Sequence, residues 1–147
     1  MTHEYYMEQA LALAREAAEA GEVPVGCVIV KDGVIIGRGR NRREEKQAIF
    51  SHAEMEAMAE ANAALNSWRL EDCDLYVTLE PCPMCAGAIV NARIPQVYFG
   101  AYDPKNGCCG SVADVLSLPL AFHPAYQGGV MQEKCSQILS DFFKRLR

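Results

Sequence analysis

Apolar residues near the N-terminus recur at Met7, Ala10, Leu11, Ala14, Ala17 and Ala18. That spacing predicts a helix over residues 4–20, ended by Gly21. The period then changes. Val25-Gly26-Cys27-Val28-Ile29-Val30 and Val34-Ile35-Ile36-Gly37 are near-continuous apolar runs joined through Asp32-Gly33, the pattern of a β-hairpin. Because almost every position in both runs is apolar, helices are expected on both faces of the sheet. Residues 40–51 are polar and charged and read as a loop. A second helix is expected from His52 through Met55 and Met58 to about Ala64, a third strand over 74–78, a third helix over 82–92 behind Pro81, and a fourth strand over 96–100. Strand, helix and strand in that order make a βαβ unit with parallel strands. Residues 103–110 read as a Gly-rich loop, 111–116 as a short helix and 120–129 as irregular with a short edge strand. A final helix presents Ile138, Leu139, Phe142 and Phe143.

Composition adds boundaries to this α/β pattern. The 147 residues suit one domain over 1–147, with 50% hydrophobic and 22% charged residues in an ordinary globular balance. No apolar run approaches the roughly 20 residues that span a bilayer, and Met1-Thr2-His3-Glu4-Tyr5 does not open a secretory signal. Seven cysteines, an odd number, argue for reduced thiols in a cytoplasmic protein rather than a disulfide framework. The net charge of −5 counts against a nucleic-acid partner. Two basic clusters, Arg38/Arg40/Arg42/Arg43/Lys46 and Lys144/Arg145/Arg147, read from charge alone as solvated surface.

The candidate chemistry lies in two short segments. In Glu80-Pro81-Cys82-Pro83-Met84-Cys85 the two cysteines sit three apart at a helix start, so both sulfurs point one way. The positive end of a helix favours thiolates. His52-Ala53-Glu54 opens another helix. Two thiolates and one imidazole suit Zn²⁺ and leave a fourth tetrahedral position for water, with Glu54 free to move a proton. A structural zinc closed by Cys108 or Cys109 is the rival; the absence of a second C-x-x-C makes those two thiols better read as loop packing. Cys27, Cys73 and Cys135 read as small buried hydrophobes.

His-Ala-Glu followed by Pro-Cys-x-x-Cys is the signature of zinc-dependent nucleobase deaminases. Beyond it, the chain resembles the bacterial tRNA-specific adenosine deaminases over nearly its whole length. The matching stretches include Gly21-Glu22-Val23-Pro24-Val25-Gly26, Gly39-Arg40-Asn41, Leu75-Tyr76-Val77-Thr78-Leu79-Glu80-Pro81, Asp103-Pro104-Lys105 and Leu139-Ser140-Asp141-Phe142-Phe143. The resemblance implies a three-layer α/β/α sandwich around a mixed five-stranded sheet, a homodimer, and conversion of adenosine to inosine at the wobble position of a tRNA anticodon. By that resemblance His52, Cys82 and Cys85 hold Zn²⁺ and Glu54 is the general acid and base. Asn41 bonds the flipped nucleotide, and Glu22, Pro24 and Val25 help line its pocket. Asp103 and Lys105 lie near the RNA, and Phe142, Phe143 and Lys144 touch the anticodon loop. It also turns both basic clusters into phosphate contacts.

The chain departs from that pattern at Ile49-Phe50-Ser51, at Ala121-Phe122-His123-Pro124, and at Tyr102, where an acidic or small residue is frequent. Trp68 is expected to cover the core beside the third strand, Met55 and Met58 to pack in it, His123 to sit on a surface loop, and His3 to be disordered. The alternatives are a deaminase of a free base or nucleoside and, from another class, a zinc-stabilised RNA-binding protein without catalysis. Glu54 speaks against the latter, because a structural metal site has no use for a carboxylate beside an open position.

Overall fold

The computed structural model describes residues 1–146; Arg147, the last member of the C-terminal basic cluster, lies outside them. Its elements are α1 (His3–Glu19), β1 (Gly26–Lys31), β2 (Val34–Arg40), α2 (Arg43–Lys46), α3 (Ala53–Leu65), β3 (Cys73–Leu79), α4 (Pro83–Ala92), β4 (Gln96–Ala101), a 3-10 turn (Val115–Ser117), β5 (Ala125–Gln127) and α5 (Gln132–Arg145). The sheet runs β2-β1-β3-β4-β5. β1 pairs antiparallel with β2 and with β3, whereas β3/β4 and β4/β5 are parallel. The sheet is therefore mixed, as the hairpin and the βαβ unit together required.

Alternate residues of the central strands feed two cores. Val28, Val30 and Tyr76 meet α1 and α5 through Met7, Leu11 and Cys135. Cys27, Ile29, Leu75 and Val97 meet α3 and α4 through Ala57, Ala61, Ala86 and Ile89. Burial on both faces explains why these strands are apolar at consecutive positions. The sheet thus forms the middle of three layers.

Close packing of α3 on β2 sets the position of one end of the site. A Cβ on Gly39 would strike the carbonyl oxygen of Ala53 and come within 2.6 Å of the Ala57 nitrogen. Only glycine lets the first turn of α3 lie directly on the strand. His52 immediately precedes that turn.

Four expectations need correction. The polar stretch 40–51 contains α2, formed because the buried carboxylate of Glu22 accepts the N–H groups of Glu44 (3.0 Å) and Glu45 (2.7 Å). Residues 111–116 do not form a helix; a Cys109–Asp114 bridge precedes the short 3-10 turn. His3 is ordered at the start of α1, where its Nδ1 shares a 2.7 Å hydrogen bond with the Tyr76 hydroxyl and its ring lies 4.2 Å from Tyr98. Trp68 does not cover the core. It is 55% exposed, with the Arg69 guanidinium 4.9 Å from its ring. Met58 is buried and Met55 packs at the core's margin, while His123 is exposed.

Candidate active site

Two helix starts converge beyond the carboxyl ends of β2 and β3. His52 and Cys82 both have extended backbones directly ahead of α3 and α4, and Cys85 lies in the first turn of α4. His52 Nδ1 is 3.6 Å from Cys82 Sγ and 3.6 Å from Cys85 Sγ. All three donor atoms lie within 4.8 Å of one another. Zinc at about 2.3 Å from sulfur and 2.1 Å from nitrogen, with a tetrahedral angle, places S and N about 3.6 Å apart. The donor set fits the ion in both chemistry and spacing. No other such group of His, Cys, Asp or Glu occurs among the described residues. Cys108 and Cys109 are buried outside it.

The electrostatics follow from proximity. The Cys85 thiol, hydrogen-bonded to Cys82, holds the Cys82 thiol down to about 4 despite burial, and His52 adds to the effect. Cys85 is correspondingly pushed up, chiefly by that same contact. The hydrogen bond to Cys82 raises His52. Glu54, only 4% exposed, is pushed up to about 7, first by burial.

These groups form the floor of a cavity of about 620 Å³. Val23, Val25 and Asn41 make one wall. Asp103, Pro104, Lys105 and Asn106 make another, and Tyr102, Leu139 and Phe143 stand at its side with Arg43. The Asn41 side chain is oriented by its own donor, since Nδ2 gives a 3.3 Å hydrogen bond to the Val23 carbonyl. Its Oδ1 is buried and has no partner among the described residues. An acceptor so placed is ready for a donor from a ligand.

Other sequence-derived candidates fall elsewhere. Glu22 and Pro24 do not line the cavity; Glu22 instead anchors α2 from below, which presents Arg43. Phe142 is buried, and Lys144 lies with Arg15 and Asp141 in a groove between α1 and α5. Arg40 and Arg42 pair with Glu45 at 3.0 Å each, and Lys46 with Glu56 at 2.7 Å. Much of the upstream basic cluster is thereby neutralised, leaving Arg43 and Lys105 as the cations on the cavity wall.

One residue that sequence reasoning passed over is Glu80. Its carboxylate, 2% exposed, accepts N–H groups from Asp103 (3.0 Å), Cys109 (2.9 Å) and Ser111 (3.0 Å) and the Ser111 hydroxyl. It thus ties the loop behind β4 to the start of α4. The only sequence signal was an acidic residue between an apolar strand and a proline.

Comparison with known proteins places this geometry in context. The family model of MafB19-like deaminases matches residues 1–147. The tRNA-specific adenosine deaminase of Bacillus subtilis (strain 168) is 50% identical over 145 residues, 98% of this chain and 90% of its own length. That of Streptococcus pyogenes serotype M18 is 46% identical over 144 residues, 97% of this chain and 91% of its own. A structure solved in work on A-to-I editing by tRNA:A34 deaminases at the wobble position of transfer RNA superposes with a TM-score of 0.89. It is 45% identical and covers 92% of this chain and 99% of its own.

Proposed function

The chain belongs to the MafB19-like deaminase family, and on that premise we propose that it converts adenosine to inosine at the wobble position of a tRNA anticodon. It does so by hydrolysis: water adds at C6 of the purine, the C6–N bond breaks, and ammonia leaves. One zinc ion per subunit, held by His52, Cys82 and Cys85, supplies an acidic water close to neutral pH when bound.

The remaining work falls to side chains of this chain. Glu54 carries one proton of the attacking water to the ring nitrogen, then carries the second, from the hydroxyl now on C6, to the amine, which departs as ammonia. Burial, which pushes its carboxyl up to about 7, lets it both release and accept a proton near neutrality. Asn41 Oδ1, fixed by the Val23 carbonyl, accepts a hydrogen bond from the entering nucleoside. Val23 and Val25 give the base an apolar wall. A base must leave its stack to reach this floor, which costs little in a single-stranded loop. Arg43 and Lys105, with Asp103 beside them, meet the phosphates and sugars of that loop, and Phe143 lies against it. The same reading makes the chain one deaminase domain, homodimeric and cytoplasmic. No helix among the described residues is long and apolar enough to cross a membrane.

The observation that carries the proposal is a zinc-type triad with a buried, non-ligating carboxylate at the floor of an open cavity. Relatives at 50% and 46% identity named for the same activity support it. The test is incubation of zinc-loaded protein with an anticodon stem-loop bearing adenosine at the wobble position, with free adenosine, guanine and cytidine in parallel. Inosine in the stem-loop is expected. Turnover of a free base alone would keep the triad's chemistry and overturn the RNA substrate.

A further inference from the structure

Tyr102 stands half in water at the edge of the cavity: it is 47% exposed and lines the same cavity as Glu54 and Cys82. Its ring is not loose. Phe99 meets it edge-on with centroids 5.1 Å apart at 86°. Its hydroxyl lies against Gly128, where a Cβ would come within 2.7 Å of it, so the missing side chain makes room for the tyrosine. The backbone beyond is fixed as well, because the next residue, Asp103, donates its N–H to buried Glu80. Tyr102 is therefore a supported ring, held on one side and open on the other, adjacent to the segment that carries Lys105.

Resting on the reading that the substrate is a single-stranded RNA loop, we propose that Tyr102 is the stacking platform for a nucleobase next to the target adenosine. Withdrawing the target base into the cavity leaves its neighbours without a stacking partner on one face. Every base has a π-face, and stacking on a tyrosine ring restores part of what was lost. With two side-chain torsions already set by Phe99 and Gly128, little conformational freedom remains to be lost on binding. The contact involves no reacting atom, so it acts on substrate affinity. Phe143, 45% exposed on the same cavity, gives the loop a second apolar surface.

The test measures kcat and KM of the zinc-loaded protein on the anticodon stem-loop for Tyr102→Ala, Tyr102→Leu and Tyr102→Phe. Stem-loops with an abasic site 5′ or 3′ to the target are run beside the intact one, and fluorescence anisotropy gives Kd for each. Tyr102→Leu keeps an apolar contact for Phe99, so a loss shared with Tyr102→Ala does not come from misfolding. The expected result is KM and Kd raised about tenfold by Ala and Leu, with kcat and zinc content unchanged and Phe equal to wild type. Removing the stacked base should raise the wild-type values by the same factor and erase its difference from Tyr102→Ala. The proposal is overturned if Tyr102→Ala binds like wild type, if Phe is as weak as Ala, or if the difference survives on both abasic loops. Absence of inosine from wild type on the intact loop would instead sink the proposed reaction, and Kd on the same loops would still decide the role of Tyr102.

Discussion

Replacing Glu80 by glutamine tests whether a single buried carboxylate holds the loop that walls the cavity. The native side chain accepts three backbone N–H groups and one hydroxyl at two oxygens. Glutamine keeps one acceptor oxygen and turns an NH₂ toward donors that need an acceptor. At least one N–H loses its partner. The Cys109 amide is buried, and an unpaired buried donor costs about 1–3 kcal/mol. Losing the charge on the surviving bonds adds roughly 1 kcal/mol. A destabilisation of about 2–4 kcal/mol is expected from urea unfolding, with faster hydrogen exchange at the Cys109 and Ser111 amides. The effect has a pH signature. Burial works to raise the Glu80 carboxyl, but the Ser111 hydroxyl and the N–H groups outweigh it and hold it below its ordinary 4.5. A depressed folded-state value means this stabilisation is fully present above pH 4.5 and is lost as pH falls through the folded-state value. The gap between wild type and Glu80→Gln should be constant from about pH 6 to 8 and should close below 4.5. A gap under about 0.5 kcal/mol at pH 7, the scatter of ordinary surface changes, or one that widens in acid, would refute the reasoning.

Glu54→Ala should retain zinc, measured by metal analysis, and lose inosine formation by at least a hundredfold, because proton transfer contributes about 10²–10⁴. Cys82→Ala should lose zinc at purification. Chelation of wild type should lower its melting temperature and re-addition of zinc restore it, since the ion joins the starts of α3 and α4. Gly39→Ala places a methyl group on the Ala53 carbonyl; a loss of about 1–3 kcal/mol in thermal or urea unfolding and weaker zinc retention are expected, as the shift carries His52 with it.

The cysteine pair was legible because its spacing is local, whereas His52 meets it across 30 and 33 positions. Cys82 and Cys85 lie one turn apart, and both they and His52 sit at helix starts recognisable from the hydrophobic period. The mixed sheet was legible for a similar reason: Asp-Gly between apolar runs demands an antiparallel pair, and a strand-helix-strand unit a parallel one. Residues whose partners lie far along the chain were less so. Glu22 matched a pocket stretch but serves amides 22 and 23 positions away, and that contact creates α2 in a segment with no helical period. His3 is ordered by Tyr76, 73 positions on. Trp68 is apolar by type yet lies outside the core, its ring facing Arg69 and Arg93.

By itself, then, the amino-acid order determined the main helices and strands, the two-sided burial of the central strands and the His-x-Glu and Cys-x-x-Cys motifs. Each depends on periodicity or on residue chemistry within a few positions. The folded chain alone decided which buried carboxylates hold loops and which one is left facing the cavity. Glu54, Glu22 and Glu80 are all buried carboxylates, and burial does not tell them apart. What separates them is the supply of donors. Glu22 and Glu80 are satisfied by N–H groups brought in from distant loops, whereas Glu54 faces the cavity floor beside His52 and Cys82 and is pushed up to about 7.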